Sequence, residues 1–298
     1  MGKPVTVIGG TNMDIAANMT APFVAADSIP GHVTMSCGGV ARNIAHNLLL
    51  LGHEVRFVSV FGGDIFGEMC CRECEAIGLD LSLAECLKDY RNGLYLCVND
   101  MYGEMRAAVA DTDIIAQLTP DFLSSRLEAI NASRAVVADT NISTESLQFL
   151  IDHCTAPLFV DTVSTTKAPR VTAALRQSEH KRLHALKLNL KEALAVTDCA
   201  TAQEAASALT ALGVGEVYIT LGSDGVYCSN GVLHEHCPAI PTHVVNTTGA
   251  GDAFMAGVVH ARLSGTSFPE CALPGLHAAH AALLSMQTVN PDINQYLS

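Results

Sequence analysis

The chain has 298 residues, 49% of them hydrophobic and only 16% charged, so it can bury a large core and is not a disordered segment. Its net charge is −13 with no basic stripe, which argues against nucleic acid and anionic membranes as partners. No apolar run reaches the length of a membrane span, and the 11 cysteines, with no secretory pattern ahead of them, read as reduced thiols of a cytoplasmic protein.

Pro4–Gly9 reads as a β-strand running into glycines. Gly39–Gly52 carries apolar residues at helical spacing, Val55–Phe61 reads as a strand, and Ile65–Ile77 as a helix closed by Gly78. Further strands are expected at Ala135–Ala138, Leu158–Val160, Ala185–Leu188 and Val217–Leu221. Helical stretches such as Thr144–His153 and Ala202–Leu212 separate them. This alternation predicts a doubly wound α/β fold, with a mostly parallel sheet and helices on both faces. Residues 13–37 and 81–110 break the pattern with short strands that lack helices. They could pair into a small β-sheet lid over the strand C-termini, or form an ordinary hairpin insertion. No linker divides the chain, so 1–298 reads as one domain carrying that lid. The polar tail, 288–298, is expected to run across the surface.

Several patterns carry little weight. Met1-Gly2 with Thr6 fits a myristoylation pattern, but Thr6 falls inside the first strand. Asn18, Asn131, Asn141 and Asn246 open N-x-[ST] triplets, which mean little without a secretory signal. Cys71 and Cys74 form a single CxxC with no second pair at zinc spacing, and read as buried small hydrophobes. His234, His236 and Cys237 alternate along a short strand, where edge-strand residues are the ordinary reading and a zinc site the rarer one.

The chemistry concentrates in Val244–Leu263, where Thr-Gly-Ala-Gly-Asp separates a β-rich run from a long apolar helix. Gly249 and Gly251 permit a tight turn and close approach of a ligand. Unpaired N–H groups around Gly249, Ala250 and Gly251, with the helix dipole behind them, make an anion hole suited to a phosphoryl group in transit. Asp252 follows in the first helical turn, placed to take the proton of an attacking hydroxyl. A first-turn capping acid is the ordinary alternative. No Walker A string and no protein-kinase signature set occurs.

TGAGDAF resembles the C-terminal signature of the ribokinase-like (PfkB) carbohydrate kinases, and Gly38-Gly39-Val40-Ala41-Arg42-Asn43 resembles their N-terminal one. Order and separation match along essentially the whole chain. The strings GGVARNIAHNLLLLG, VADTNIS and TVNPD look most like the pseudouridine-kinase branch. The resemblance implies phosphoryl transfer from ATP, with Mg²⁺, to the 5′-hydroxyl of a nucleoside, or to a sugar in a ribokinase- or fructokinase-like enzyme. A catalytically silent ligand-binding regulator is the reading from another class, and the presence of Asp252 with both glycines speaks against it.

Residue by residue, the resemblance gives Asn12 and Asp14 to the sugar hydroxyls, Gly38 and Gly39 to close approach by the ribose, and Asn43 to the sugar from the helix start. Asn141 would make a lid-side substrate contact. Asn189 and Glu192, as an NxxE motif, would share a helix face that organises the phosphates and Mg²⁺ through water. Thr220, Gly222 and Gly225 would form the nucleotide loop, and His280 would line the adenine pocket. Asn246 stands where the family often has the Asp that helps hold a monovalent cation, which weakens the case for K⁺. An exposed lid sheet would also suit a homodimer.

Overall fold

Among the described residues, fourteen strands appear in chain order, beginning with β1 (Val5–Ile8), β2 (Asn12–Met19), β3 (Gly31–Gly38), β4 (Val55–Val58), β5 (Val60–Gly62), β6 (Glu85–Leu87) and β7 (Gly93–Asn99). β8 (Met105–Asp111), β9 (Ala135–Asp139), β10 (Leu158–Asp161), β11 (Leu183–Asn189), β12 (Val214–Thr220), β13 (Val226–Ser229) and β14 (His234–Cys237) follow. The computed structural model describes residues 2–297. The main sheet has the order β14-β13-β12-β11-β10-β9-β1-β4, with β12/β13 and β13/β14 antiparallel and the other pairs parallel. Its inner strands are apolar on both faces because helices cover both. One core gathers Val5, Val7, Phe57 and Phe159 with the helices Val40–Leu50, Ala250–Leu263 and Ala272–Leu283. The other gathers Ile8, Val136, Val160 and Leu186 with the helices Thr144–His153, Pro169–Gln177 and Ala202–Ala211. The doubly wound reading therefore holds.

A second sheet, β3-β2-β7-β8, stands apart. β2/β3 and β7/β8 are antiparallel, and β2/β7 is parallel, so the lid is a mixed sheet. Residues 81–92 do not enter it. β6 pairs instead with β5, which the structure separates from β4 at Ser59. There the Ser59 hydroxyl donates to the Gly9 carbonyl at 2.8 Å, and its own carbonyl accepts the Glu85 N–H at 3.1 Å. The polar tail also departs from expectation: Val289 and Ile293 are buried, and the Asn290 amide donates to the Ala281 carbonyl at 2.7 Å.

Thr6 lies in β1, buried and bonded to Ser133, while Met1 lies outside the described residues. His236 bonds the Asp224 carbonyl at 2.7 Å, and no metal-holding cluster occurs among the described residues. Cys71 and Cys74 do not act as a pair. Cys74 and Cys70, one helical turn apart, face Cys37 of the lid strand, and their thiols with the nearby Arg42 hold the Cys37 thiol well below its usual range.

Candidate active site

The glycine turn is built as its sequence requires. Gly249 adopts the left-handed φ of 83°, and a Cβ there would meet the Thr288 carbonyl at 2.2 Å. The helix Ala250–Leu263 starts at once. The N–H groups of Gly251 and Asp252 find no acceptor among the described residues, whereas Ala253 bonds the Gly249 carbonyl at 2.9 Å. Two unsatisfied donors at a helix N-terminus are the arrangement that an expected anion hole requires.

Asp252 is buried beside that hole, and the Asn43 amide donates to its Oδ2 at 2.9 Å. Burial pushes its carboxyl up to about 6, although Lys187 and the Asn43 amide both pull it down. A base must be ionised to accept a proton, so with Asp252 in the role expected from the sequence, turnover should fall as pH drops through about 6. Asp14 is likewise raised to about 6 by burial, with the Asn12 amide opposing. A kcat/KM profile measured from pH 4.5 to 8.5 should therefore show an acid limb steeper than one proton. A flat profile across that range would count against Asp252 as the base.

The residue that the sequence reading missed is Lys187. A Cβ on Gly251 would lie 2.6 Å from its Nζ, so the ammonium packs against the anion hole. Lys187 is buried and bonded to both Asp161 oxygens at 3.0 and 3.1 Å. Burial works against its charge, yet Asp161, Asp252 and Glu192 together raise its pKa, so it stays protonated. A signal for it existed. LHALKLN, LFVD and AVVAD are apolar strands that each carry a charged residue at or near the C-terminal end, giving Lys187, Asp161 and Asp139.

Asn12 and Asp14, the expected acceptor contacts, leave the same strand, and the Asn12 amide donates to Asp14 Oδ1. Gly38 and Gly39 have a tighter internal reason than room for a ligand. A Cβ on Gly38 would sit 2.0 Å from Asp14 Oδ2, and one on Gly39, at φ 107°, would sit 2.5 Å from the Gly10 carbonyl. Gly38→Ala is expected to displace the Asp14 carboxylate and raise the acceptor KM at least tenfold, with the ATP KM little changed. Equal KM values for the acceptor would refute it. Asn43 reaches Asp252 itself.

Asn141, the expected lid-side substrate contact, follows β9; its amide donates to Asp139 Oδ2 at 2.8 Å, and its Oδ1 accepts Lys167 Nζ at 2.7 Å. Asp139 is fully buried and also takes the Ala41 N–H at 3.1 Å, which ties this network to the start of the helix Val40–Leu50.

Asn189 and Glu192 form a capping box rather than a shared outward face. Asn189 Oδ1 accepts the Glu192 N–H, and Glu192 Oε2 accepts the Asn189 N–H, both at 2.9 Å. Glu192 Oε2 also accepts the Thr162 hydroxyl at 2.6 Å. Only Oε1 is left to face a hydrated cation, which fits Mg²⁺ held through water and not a dedicated carboxylate cage. Asn246 Oδ1 accepts the Thr248 N–H at 3.0 Å, so its side chain is committed to the turn.

A cleft of about 620 Å³ runs from Thr220, Gly222 and Gly225 to Ala250 and Gly251. Leu276, Ala279 and Leu283, at helical spacing, form an apolar wall of it with Ile240. His280 is not in that wall. It bonds the Thr242 hydroxyl at 2.6 Å, and Thr242 lines the cleft in its place. Gly225, at φ 95°, would place a Cβ 2.0 Å from the Cys237 carbonyl.

The family model described as pfkB family carbohydrate kinase matches residues 3–295. The chain belongs to the PfkB family. It is 34% identical over 298 residues to the pseudouridine kinase of Escherichia coli K12, covering 97% of this chain and 93% of its relative. It is also 34% identical over 295 residues to the uncharacterised sugar kinase YeiI of the same strain, covering 97% and 80%. Among solved structures, a carbohydrate kinase from Agrobacterium tumefaciens aligns at TM-score 0.85 and 27% identity, over 99% of this chain and 96% of the other. Ribokinase from Arabidopsis thaliana, complexed with ribose and ATP, aligns at TM-score 0.85 and 20% identity, over 100% and 99%, and shares the fold. The protein is thus a phosphotransferase with a hydroxyl acceptor, and the separate small sheet is the lid of that fold. No helix among the described residues is long and apolar enough to cross a membrane.

Proposed function

We propose that this PfkB kinase phosphorylates the 5′-hydroxyl of a nucleoside, with pseudouridine as the preferred acceptor. The observation that carries this reading is the 34% identity to a pseudouridine kinase across nearly both chains. The site supports the chemistry. Asn12 and Asp14 hold the ribose hydroxyls, a carboxylate being able to accept from two O–H groups at once. Asp252 takes the 5′-hydroxyl proton, the freed oxygen bonds to the γ-phosphorus, and the bond to the ADP oxygen breaks. The Gly251 and Asp252 N–H groups and the Lys187 ammonium hold the charge that gathers on the moving phosphoryl group. The loop Thr220–Gly225 and the apolar wall hold the nucleotide. Asn189 and Glu192 would orient hydrated Mg²⁺, which when bound neutralises phosphate charge and aligns the leaving group.

A sugar acceptor is the second reading, favoured by equal identity to YeiI. A coupled ADP-release assay over pseudouridine, uridine, guanosine, ribose and fructose separates the two. The expected result is the highest kcat/KM with pseudouridine. Good turnover of ribose or fructose with none of pseudouridine would sink the nucleoside reading.

The neutral Asn246 supports a reaction that does not depend on K⁺, read by comparing rates in potassium and tetramethylammonium buffers. The fully exposed edge strand β8 and the exposed Val33, Met35 and Val109 support a homodimer through the lid of a cytoplasmic protein. Sedimentation velocity on the wild type and Val109→Lys reads the assembly.

A further inference from the structure

Arg42 sits in the first turn of the helix Val40–Leu50, only 4% exposed, and no step of the proposed reaction uses it. A buried guanidinium is expensive unless it is paired and hydrogen-bonded. One of its arms is paired: Nη2 donates to Glu73 Oε1 at 2.7 Å, across to the helix Ile65–Ala76. The other arm, Nη1, reaches Asn43 Oδ1 at 3.5 Å. Asn43 in turn spends its Nδ2 on Asp252 at 2.9 Å. The residues thus form one line, Glu73–Arg42–Asn43–Asp252, running from a partly exposed carboxylate to the base.

An amide has two orientations related by a half-turn. With Nδ2 toward Asp252, Asn43 donates to a carboxylate. In the reverse orientation it would accept from a carboxylic acid, and its NH2 would face the Arg42 cation. Arg42 penalises that reverse state. We propose that Arg42 is a positioning residue: its guanidinium, anchored by Glu73, fixes the Asn43 amide so that its N–H is always offered to Asp252.

The consequence is electrostatic. Holding the donor in place favours the ionised form of Asp252, as the Asn43 bond already does. The other groups acting on Asp252 are Lys187 from β11, which lowers its pKa, and Asp139 from β9, which raises it. Its charge is also felt by Asp161 of β10 and Asp14 of β2. The helix Ala272–Leu283 carries only His277 and His280 as titratable groups, and His280 is bonded to Thr242. Around Arg42 itself stand Cys37 and Asp14 from the lid strands, Cys74 and Glu73 from the helix Ile65–Ala76, and His46 one turn along its own helix. Arg42 thus acts on the base through Asn43.

Carboxyl-carbon NMR titration tests this without any substrate, with the Asp252 resonance identified by its loss in Asp252→Asn. Arg42→Met is expected to move the Asp252 midpoint up by about one pH unit, the scale of one hydrogen bond to a charged group. Glu73→Gln should move it the same way by less, and carries the test if Arg42→Met does not fold. In an Asn43→Ala background, Arg42→Met should add nothing. A full extra shift there would mark a direct charge effect and overturn the positioning role, as would an unmoved midpoint in the folded variants. Arg42→Lys distinguishes the same cases, since it keeps the charge and loses the forked geometry: complete restoration would also refute the proposal. The inference rests on Asp252 being the base of the transfer. A midpoint that moves as expected, with turnover intact in Asp252→Asn, would sink that reading and leave the positioning intact.

Discussion

Asp252→Asn is expected to lower kcat by roughly a thousandfold, within the range of about 10²–10⁴ that a positioned general base contributes. The substitution keeps shape and volume, so the anion hole, Lys187 and the cleft should persist. Affinity for the proposed nucleoside acceptor, measured by calorimetry, should change by less than about threefold, because its ribose is proposed to be held by Asn12 and Asp14 and not by Asp252. The stability of the variant provides an independent sign. The folded-state pKa of Asp252 is raised to about 6 from 3.8, so at neutral pH the native state pays to keep this carboxylate ionised. Stability from this group therefore rises as pH falls through about 6 and is reduced above it. An uncharged Asn avoids that cost, and the variant should melt no lower than its parent at pH 7. Turnover retained within tenfold would exclude Asp252 as the base. Lost turnover together with a lowered melting temperature would point to damaged structure.

The parts of this molecule that were legible in its sequence are the parts whose constraints are local. A strand of Val and Ile buried on both faces announces itself, as in β1 and β9, and so does the switch from β-rich residues through Thr-Gly-Ala-Gly-Asp to an apolar helix. What stayed hidden depends on residues far apart in the chain. Lys187 lies 65 positions before Asp252, and only the parallel sheet brings β11 under the N-terminus of the later helix. Gly38 reads as room for a ligand until Asp14, across the β2/β3 ladder, is seen to fill that room. Asn189 and Glu192 read as a polar face because their spacing fits one. The same spacing fits a capping box, and the start of the helix at Leu190 decides between them. Residues 81–92 read as lid because they are β-rich, yet pairing partner and not propensity sets the sheet, and Glu85–Leu87 finds β5 first. The stretch around His280 does reach the cleft, but through Ala279 and Leu283, while the helix turns the His280 ring toward Thr242.

Lys187→Met should show two losses that a second substitution can separate. Removing the ammonium leaves Asp161 buried, at 1% side-chain exposure, without its counter-ion. Breaking a buried pair from one side costs about 3–5 kcal/mol, so a marked fall in the denaturation midpoint is expected. The same substitution removes the cation that packs against Gly251, and turnover should fall by about 10²–10³-fold, the scale of one lost donor to a developing oxyanion. Lys187→Met combined with Asp161→Leu replaces both charges with apolar groups, which is often close to neutral for stability. The double variant should regain most of the lost midpoint and none of the lost turnover, because the anion hole still lacks its positive charge. The ATP KM should move less than kcat, since the charge on the phosphoryl group in transit exceeds what the ground state presents to Lys187. If the double variant recovers turnover along with stability, Lys187 is a counter-ion of Asp161 and nothing more. If stability returns while kcat stays low, the lysine belongs to the machinery that Asp252 serves as base, and the anion hole consists of two backbone N–H groups and one ammonium held by a carboxylate.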